Sequence, residues 1–238
     1  MRPIWKLTSV DEILPFALLG LTGVTGLVDA VSFLALGHVF TANMTGNIVF
    51  LGFAMAGVPE VSAGRSLTAL LAFLLGALVG GKVLAKSRAD AIQASLILFG
   101  LEIAFLASAM FAAIGYHGSP SPASISAYLI TSFTAVAMGM RNAAVRKLGV
   151  VDLTTTVLTL TTTGLAADSS LAGGTNPRWQ RRLGSILAMF AGAAAGAILV
   201  RRSVFAGLAL GVATMSVCSA AVLAVRRWGV QSQTAKPI

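Results

Sequence analysis

Long apolar stretches separated by short polar ones dominate the chain. Leu14–Leu36, Leu67–Ala85, Ala91–Gly115, Ala127–Leu148, Leu183–Val200 and Val204–Val225 each come close to the roughly 20 mostly apolar residues that a transmembrane helix needs. Two further segments differ. Val39–Val58 is continuously apolar only from Ile48 to Gly57, and Val150–Ala167 is crowded with Thr154, Thr155, Thr156, Thr159, Thr161, Thr162 and Thr163. Each of these interrupted segments is the second in a group of four.

Composition turns the pattern into a class. The chain has 238 residues, of which 56% are hydrophobic and 11% charged, and its mean hydropathy is +0.87. Soluble domains carry about 25% charged residues. So few charges cannot cover a water-facing surface, and an all-α polytopic membrane protein in contact with the lipid bilayer is expected. The formal charge is +9. Its basic residues sit between apolar spans and form no patch, so they read as loops facing the cytoplasm and anionic headgroups, not as a nucleic-acid surface. Cys218 is the single cysteine, which excludes an intramolecular disulfide. Arg2 and Lys6 precede an apolar run that continues through Leu36 without a small-residue cleavage site, so this run reads as a first membrane helix.

The spacing of the segments predicts an internal repeat. Leu71–Gly80 recurs as Leu187–Gly196 at an offset of 116, with identities at Leu71/Leu187, Ala72/Ala188, Gly76/Gly192, Ala77/Ala193 and Gly80/Gly196. Earlier in each half, Gly26–Ala30 faces Gly139–Ala143 at an offset of 113, which also sets Thr41 opposite Thr154. The expected units are a first membrane repeat over 1–118 and a second over 119–238. The Gly-x-x-x-Gly pairs at Gly76/Gly80 and Gly192/Gly196 suit close helix packing. This packing is expected within the chain first, with homo-oligomer formation second.

Charge bias decides whether the interrupted segments cross. If neither does and the N-terminus is cytoplasmic, 14 of the 17 Lys and Arg lie inside, and only Arg65, Arg201 and Arg202 lie outside. If both cross, the same residues divide 9 to 8. The positive-inside rule favours the first arrangement. It has six transmembrane helices plus two re-entrant or broken helices, with both termini cytoplasmic. Three spans per half make the second half inverted relative to the first.

Polar residues inside such a chain need a reason. Thr22, Thr25, Asp29 and Ser32 share one face of the first helix, and Thr131, Thr134, Arg141 and Asn142 a comparable face of the fifth. A charge at the bilayer centre costs roughly 2.5–3.5 kcal/mol on insertion scales, so these faces should point into protein or a water-filled cavity. Asp29 and Arg141 are candidate partners, the alternative being that Arg141 snorkels to the interface. Glu102, mid-way along the fourth span, is a candidate proton or ion-coupling site, with a protonated structural glutamate as the alternative. The turn Thr41–Asn47 offers hydroxyls, amides and close backbone approach without fixed charge. A helix starting near Thr45 or Asn47 would aim free N–H groups inward, and the threonine-rich turn of the second half could do the same from the opposite side. Paired broken helices in an inverted repeat are the usual build of a transporter site.

The stretch from Gly26 to Asn47 resembles the YoaK-like family of bacterial multi-pass membrane proteins, a domain of unknown function. The carrying residues are G-x-x-D-A at Gly26–Ala30, V-F-T-A-N-x-T-G-N at Val39–Asn47, G-x-x-N-A-A-V at Gly139–Val145, and Thr155–Leu160. Leu160 stands where that family often has glycine, and Arg141 where it often has glutamine. The resemblance covers nearly the whole chain and implies a membrane protein with about six spans. It brings no substrate.

The function expected is a transporter or permease for a small solute in the bacterial cytoplasmic (inner) membrane. Its binding residues would be Asp29, Thr41, Asn43, Thr45, Asn47, Asn142 and Thr159, with Glu102 for coupling. Helix N-termini and neutral polar groups would suit a small anion or a neutral polar molecule. The alternative is a non-transporting scaffold or assembly subunit. No metal-ligand cluster, nucleophile elbow, P-loop or dinucleotide fingerprint is present in the sequence, so neither an enzyme nor a cofactor is expected.

Overall fold

The computed structural model describes residues 9–86, 91–118, 124–149 and 158–234, and those residues contain helices and turns but no strand. Eight α-helices follow one another: α1 (Val10–Ala35), α2 (Met44–Met55), α3 (Ala63–Lys86), α4 (Ala91–Ala112), α5 (Ile125–Leu148), α6 (Leu158–Ala167), α7 (Trp179–Val200) and α8 (Val204–Thr234). The fold is all-α and that of a polytopic membrane protein. The expected correspondence of Thr41 with Thr154, and the turn containing Thr154, Thr155 and Thr156, lie outside the described residues.

Local chemistry sets the helix ends. Ser9 caps α1, its Oγ accepting from Glu12 N at 3.3 Å, and Asp11 and Glu12 complement the positive end of the helix. This cap starts α1 four residues before the apolar run does. Ser124 caps α5 in the same way through Ala127 N, and Gly149, with φ 63°, closes α5 behind Arg146 and Lys147. Beyond α1, Gly37 has φ 91° and the Arg65 guanidinium fills the space that a Cβ would take there. Arg65 Nη1 donates to Leu36 O at 3.1 Å, and Tyr116 Oη to Ala35 O at 2.6 Å, so the end of α1 is tied to α3 and to the chain after α4. Burial pushes the Tyr116 hydroxyl above its ordinary range, against the opposing charge of Arg65, and keeps it a donor.

Among the described residues five helices are long and apolar enough to cross a membrane: α1, α3, α4, α7 and α8 up to Trp228. α5 has the length, 24 residues, but its apolar run is broken by Arg141 and Asn142. α2 is apolar but has only 12 residues, about 18 Å of helix against a hydrocarbon core of about 30 Å. Its outer face carries Ile48, Phe53 and Met55, all exposed and suited to lipid or to a further protein surface.

α1 and α5 form the centre. Leu18, Leu21 and Val28 on α1, and Ile130, Met138 and Met140 on α5, are fully buried. The other long helices pack around them in a crossed arrangement. α3 lies mainly on α5 and α7 mainly on α1, while α4 lies on α5 and α8 on α1; α2 rests on α3 and α6 on α7. Glycines make the two tightest crossings. A Cβ at Gly76 would collide with the Val136 carbonyl, and one at Gly139 with the Phe73 carbonyl. On the other side, Gly192 meets the Gly23 carbonyl and Gly26 the Met189 carbonyl. The glycine pairs Gly76/Gly80 and Gly192/Gly196 therefore pack inside the chain, against α5 and α1 respectively.

Exposure completes the membrane architecture. Leu71, Leu74, Leu75 and Leu78 on α3, and Leu187, Phe190 and Ile198 on α7, are each more than half exposed. So large an apolar exterior is ordinary against lipid and costly against water.

Candidate functional site

Inside the bundle three hydroxyls of the threonine faces find acceptors on their own helices, whereas the buried Thr131 hydroxyl has no hydrogen-bond partner among the described residues. Thr22 Oγ1 donates to Leu18 O at 2.9 Å, Thr25 to Leu21 O at 3.1 Å and Thr134 to Ile130 O at 2.7 Å, all buried. Each hydroxyl satisfies itself on the preceding turn of its own helix. Arg141 departs from both readings made of it. It does not snorkel and does not meet Asp29. It is fully buried and forms an ion pair with Glu102 of α4, which is equally buried. Its Nη1 also donates to Leu21 O at 2.8 Å and to Thr25 Oγ1 at 3.0 Å, and Nη2 lies 3.4 Å from Met215 Sδ on α8. One guanidinium thus joins α1, α4, α5 and α8. In a low-dielectric interior this pairing offsets part of the cost of burying both charges.

Asp29 has a different environment. Its Oδ1 accepts from Thr41 N at 3.1 Å and Ala42 N at 2.8 Å. The carboxylate of α1 therefore holds the turn that leads into α2, whose own N-cap residue, Asn43, makes no side-chain cap. Asn47 completes the turn from inside α2. Its side-chain oxygen accepts from Phe40 N at 3.0 Å and its Nδ2 donates to Phe40 O at 2.5 Å. Both peptide groups of a non-helical residue are satisfied this way, as irregular backbone within a membrane demands. The motif V-F-T-A-N-x-T-G-N thus folds as a clamped turn, with Asp29 on one side and Asn47 on the other.

The turn borders a cleft of about 960 Å³. Asp29 and Phe33 of α1, Phe40 and Asn43 of the turn, Met44, Thr45, Gly46 and Phe50 of α2, and Phe73 of α3 line one part of it. Asn142 of α5, Leu158 and Thr159 of α6, and Met189 of α7 line the rest. Of the binding residues expected from the sequence, Asp29, Asn43, Thr45, Asn142 and Thr159 come together here. Thr41 and Asn47 do not line the cleft; both are fully buried behind it. Glu102 is not among the lining residues either and belongs with Arg141. Asn142 Nδ2 donates to Met138 O at 2.8 Å, one turn back on its own helix.

The aromatic wall of this cleft went unnoticed in the sequence. Phe33 and Phe40 stack with ring centroids 5.2 Å apart, and Phe40 and Phe50 at 5.7 Å, with interplanar angles of 22° and 17°. Phe33 lies one turn after Asp29 on the same helix face, a spacing that could have marked it. Phe50 and Phe73 gave no such signal, because an apolar residue in an apolar run looks like core or lipid contact. Among the described residues no three His, Cys, Asp or Glu side chains gather to hold a metal ion.

The profile of the family described as "Protein of unknown function (DUF1275)" matches residues 17–223. The chain is 36% identical over 145 residues to the UPF0700 transmembrane protein YoaK of Bacillus subtilis (strain 168), a match that covers 61% of this chain and 62% of that protein. The chain thus spans somewhat under two thirds of the relative it matches. No solved structure matches. Together with the helices described above, these findings make the chain a multi-pass membrane protein of the YoaK-like kind.

Proposed function

The chain belongs to the DUF1275 family of proteins of unknown function, and from that premise we propose that it carries a small solute across the bacterial cytoplasmic (inner) membrane, using the cleft between α1, α2, α5 and α6. The observation that carries this reading is the meeting of five polar residues, Asp29, Asn43, Thr45, Asn142 and Thr159, in one cleft. Asn43 comes from the turn before α2 and the other four from four different helices, two of them short. A membrane protein rarely keeps polar groups and helix starts together at a cavity unless something polar enters it.

The internal repeat is part of the same proposal, with units at 1–118 and 119–238, inverted in the membrane. Its support is positional. The Gly76–Val136 contact and the Gly192–Gly23 contact are related by the sequence offsets of 116 and 113, and so are Gly139–Phe73 and Gly26–Met189. Exchanging α1–α4 with α5–α8 also leaves the set of principal helix neighbours unchanged. In this reading α5 is a sixth span, its Arg141 charge being matched by Glu102. α2 and α6 enter without crossing, and both termini are cytoplasmic. Glu102 is assigned to positioning Arg141 and the four helices around it, not to coupling.

The test is flux. The purified full-length protein is reconstituted in liposomes and challenged with panels of small amines, organic acids, sugars and neutral heterocycles. Uptake above empty liposomes is expected for one class, with loss of about tenfold or more in Thr45→Val and Asn142→Ala, since each removes a hydrogen-bonding group from the cleft. No uptake across the panels, or equal uptake by wild type and both variants, would return the chain to the scaffold class.

A further inference from the structure

From the composition of the cleft wall we infer that its ligand is a small organic cation, an amine or quaternary ammonium with an apolar body; this rests on the solute-binding reading of the cleft. Among the described lining residues Asp29 is the one charged side chain, and none of them is Lys, Arg or His. An anion entering the cleft would therefore meet a carboxylate and, among the described residues, no side-chain cation. The carboxylate already engages amides of the turn that leads into α2. The Thr41 and Ala42 amides, which precede α2, donate to Asp29 Oδ1 at 3.1 and 2.8 Å. A carboxylate accepts about four hydrogen bonds in all. The Asn43 amide is a third donor to this carboxylate, and three amides leave Asp29 capacity for one donor from the cleft.

The neighbouring wall fits the other end of such a molecule. Phe33, Phe40, Phe50 and Phe73 all line the cleft, and the first three form a continuous stack. Aromatic faces attract cations and cover apolar substituents. A neutral solute would gain from the phenylalanines and from the polar groups of Asn43, Thr45, Asn142 and Thr159. A cation gains from these and also from the carboxylate, which otherwise sits in a medium that solvates charge poorly.

The substitution Asp29→Asn isolates the charge. It keeps a side-chain oxygen to accept from Thr41 and Ala42, so the turn retains its support while the cleft loses its carboxylate. The probes are phenethylammonium, tetraethylammonium, the neutral isostere 2-phenylethanol and the anion phenylacetate. Binding is measured by calorimetry and thermal shift on the detergent-purified full-length protein. The expected result is binding of the two cations over the alcohol and phenylacetate, weakened about tenfold or more by Asp29→Asn, as for a lost charge-assisted contact. Phe50→Leu, which keeps apolar bulk, should weaken the cations by about threefold or more. Both variants should weaken 2-phenylethanol less than they weaken the cations. The inference is overturned if phenylacetate binds best, if neither cation binds at millimolar concentration, or if Asp29→Asn leaves cation affinity intact. Flux separates the two claims. Asp29-dependent cation binding without transport upholds the ligand class and removes the transporter. Transport of an anion or neutral solute, with no cation binding, does the reverse.

Discussion

Removing the carboxylate of Glu102 while leaving Arg141 in place should cost more stability than removing both. Both side chains are fully buried, and the remaining partners of the guanidinium are the Leu21 carbonyl, the Thr25 hydroxyl and the Met215 sulfur. All of these are neutral. Glu102→Leu therefore leaves a buried cation without a counter-charge, a change that costs about 3–5 kcal/mol where a buried pair is broken from one side. Arg141→Met leaves a buried carboxylate and should cost a similar amount. The double substitution Glu102→Leu/Arg141→Met replaces the pair with apolar groups of similar size. Such replacements range from neutral to stabilising by about 1–4 kcal/mol. The cycle should thus show coupling of about 5 kcal/mol or more, well outside the roughly 0.5 kcal/mol expected of independent sites. Unfolding in mixed detergent micelles containing increasing SDS, followed by circular dichroism, gives the four stabilities. Additive losses, or single losses below about 1 kcal/mol, would refute the reasoning from burial. The same four proteins test the part given to Glu102. Flux retained in the double variant fits a positioning role, whereas flux lost in a fully stable double variant would make Glu102 part of the coupling chemistry.

Three further outcomes are expected. Asn47→Ala removes both partners of the Phe40 peptide groups at once; at about 1–3 kcal/mol for each buried group left unpaired, the SDS midpoint should fall clearly. An unchanged midpoint would mean that the turn finds support elsewhere. Gly76→Ala forces a Cβ into the Val136 carbonyl at a helix crossing, whereas a Cβ at Gly52 meets nothing within 4 Å. The first should therefore lose about 2 kcal/mol or more, as overpacking does, and Gly52→Ala should gain up to about 1 kcal/mol from helix propensity. Equal effects at the two sites would contradict the crossing. In a Cys218→Ser background, single cysteines at the exposed positions Glu60 and Thr175 should react with an impermeant maleimide from opposite sides of the membrane. Labelling of both from one side would remove the inverted arrangement.

The contrast between Asp29 and Asn47 shows how far the sequence could be read. Both stood out because a polar residue in an apolar segment needs a partner or a ligand, and both belong to the motif shared with the YoaK-like family. Sequence reasoning could not tell which of the two needs each satisfied. The structure gives Asn47 to the Phe40 backbone and Asp29 partly to the turn and partly to the cleft. Arg141 was misjudged for a related reason. Its distance from the end of α5 allowed snorkelling, and only the packing of α4 against α5 brings Glu102 to it.

The sequence by itself determined that this is an all-α polytopic membrane protein, where its long helices lie, and that the apolar part of Val39–Val58 is too short to span alone. Those properties follow from local composition, since hydrocarbon thickness and backbone hydrogen bonding act on each segment separately. Tertiary structure alone decided which polar groups neutralise one another and which are left facing a cavity. Arg141 with Glu102, Asn47 with Phe40 and the phenylalanine wall beside Asp29 depend on contacts between segments. Periodicity cannot report these contacts, because inside a membrane the lipid-facing, core and cleft-lining surfaces are all built from the same apolar residues.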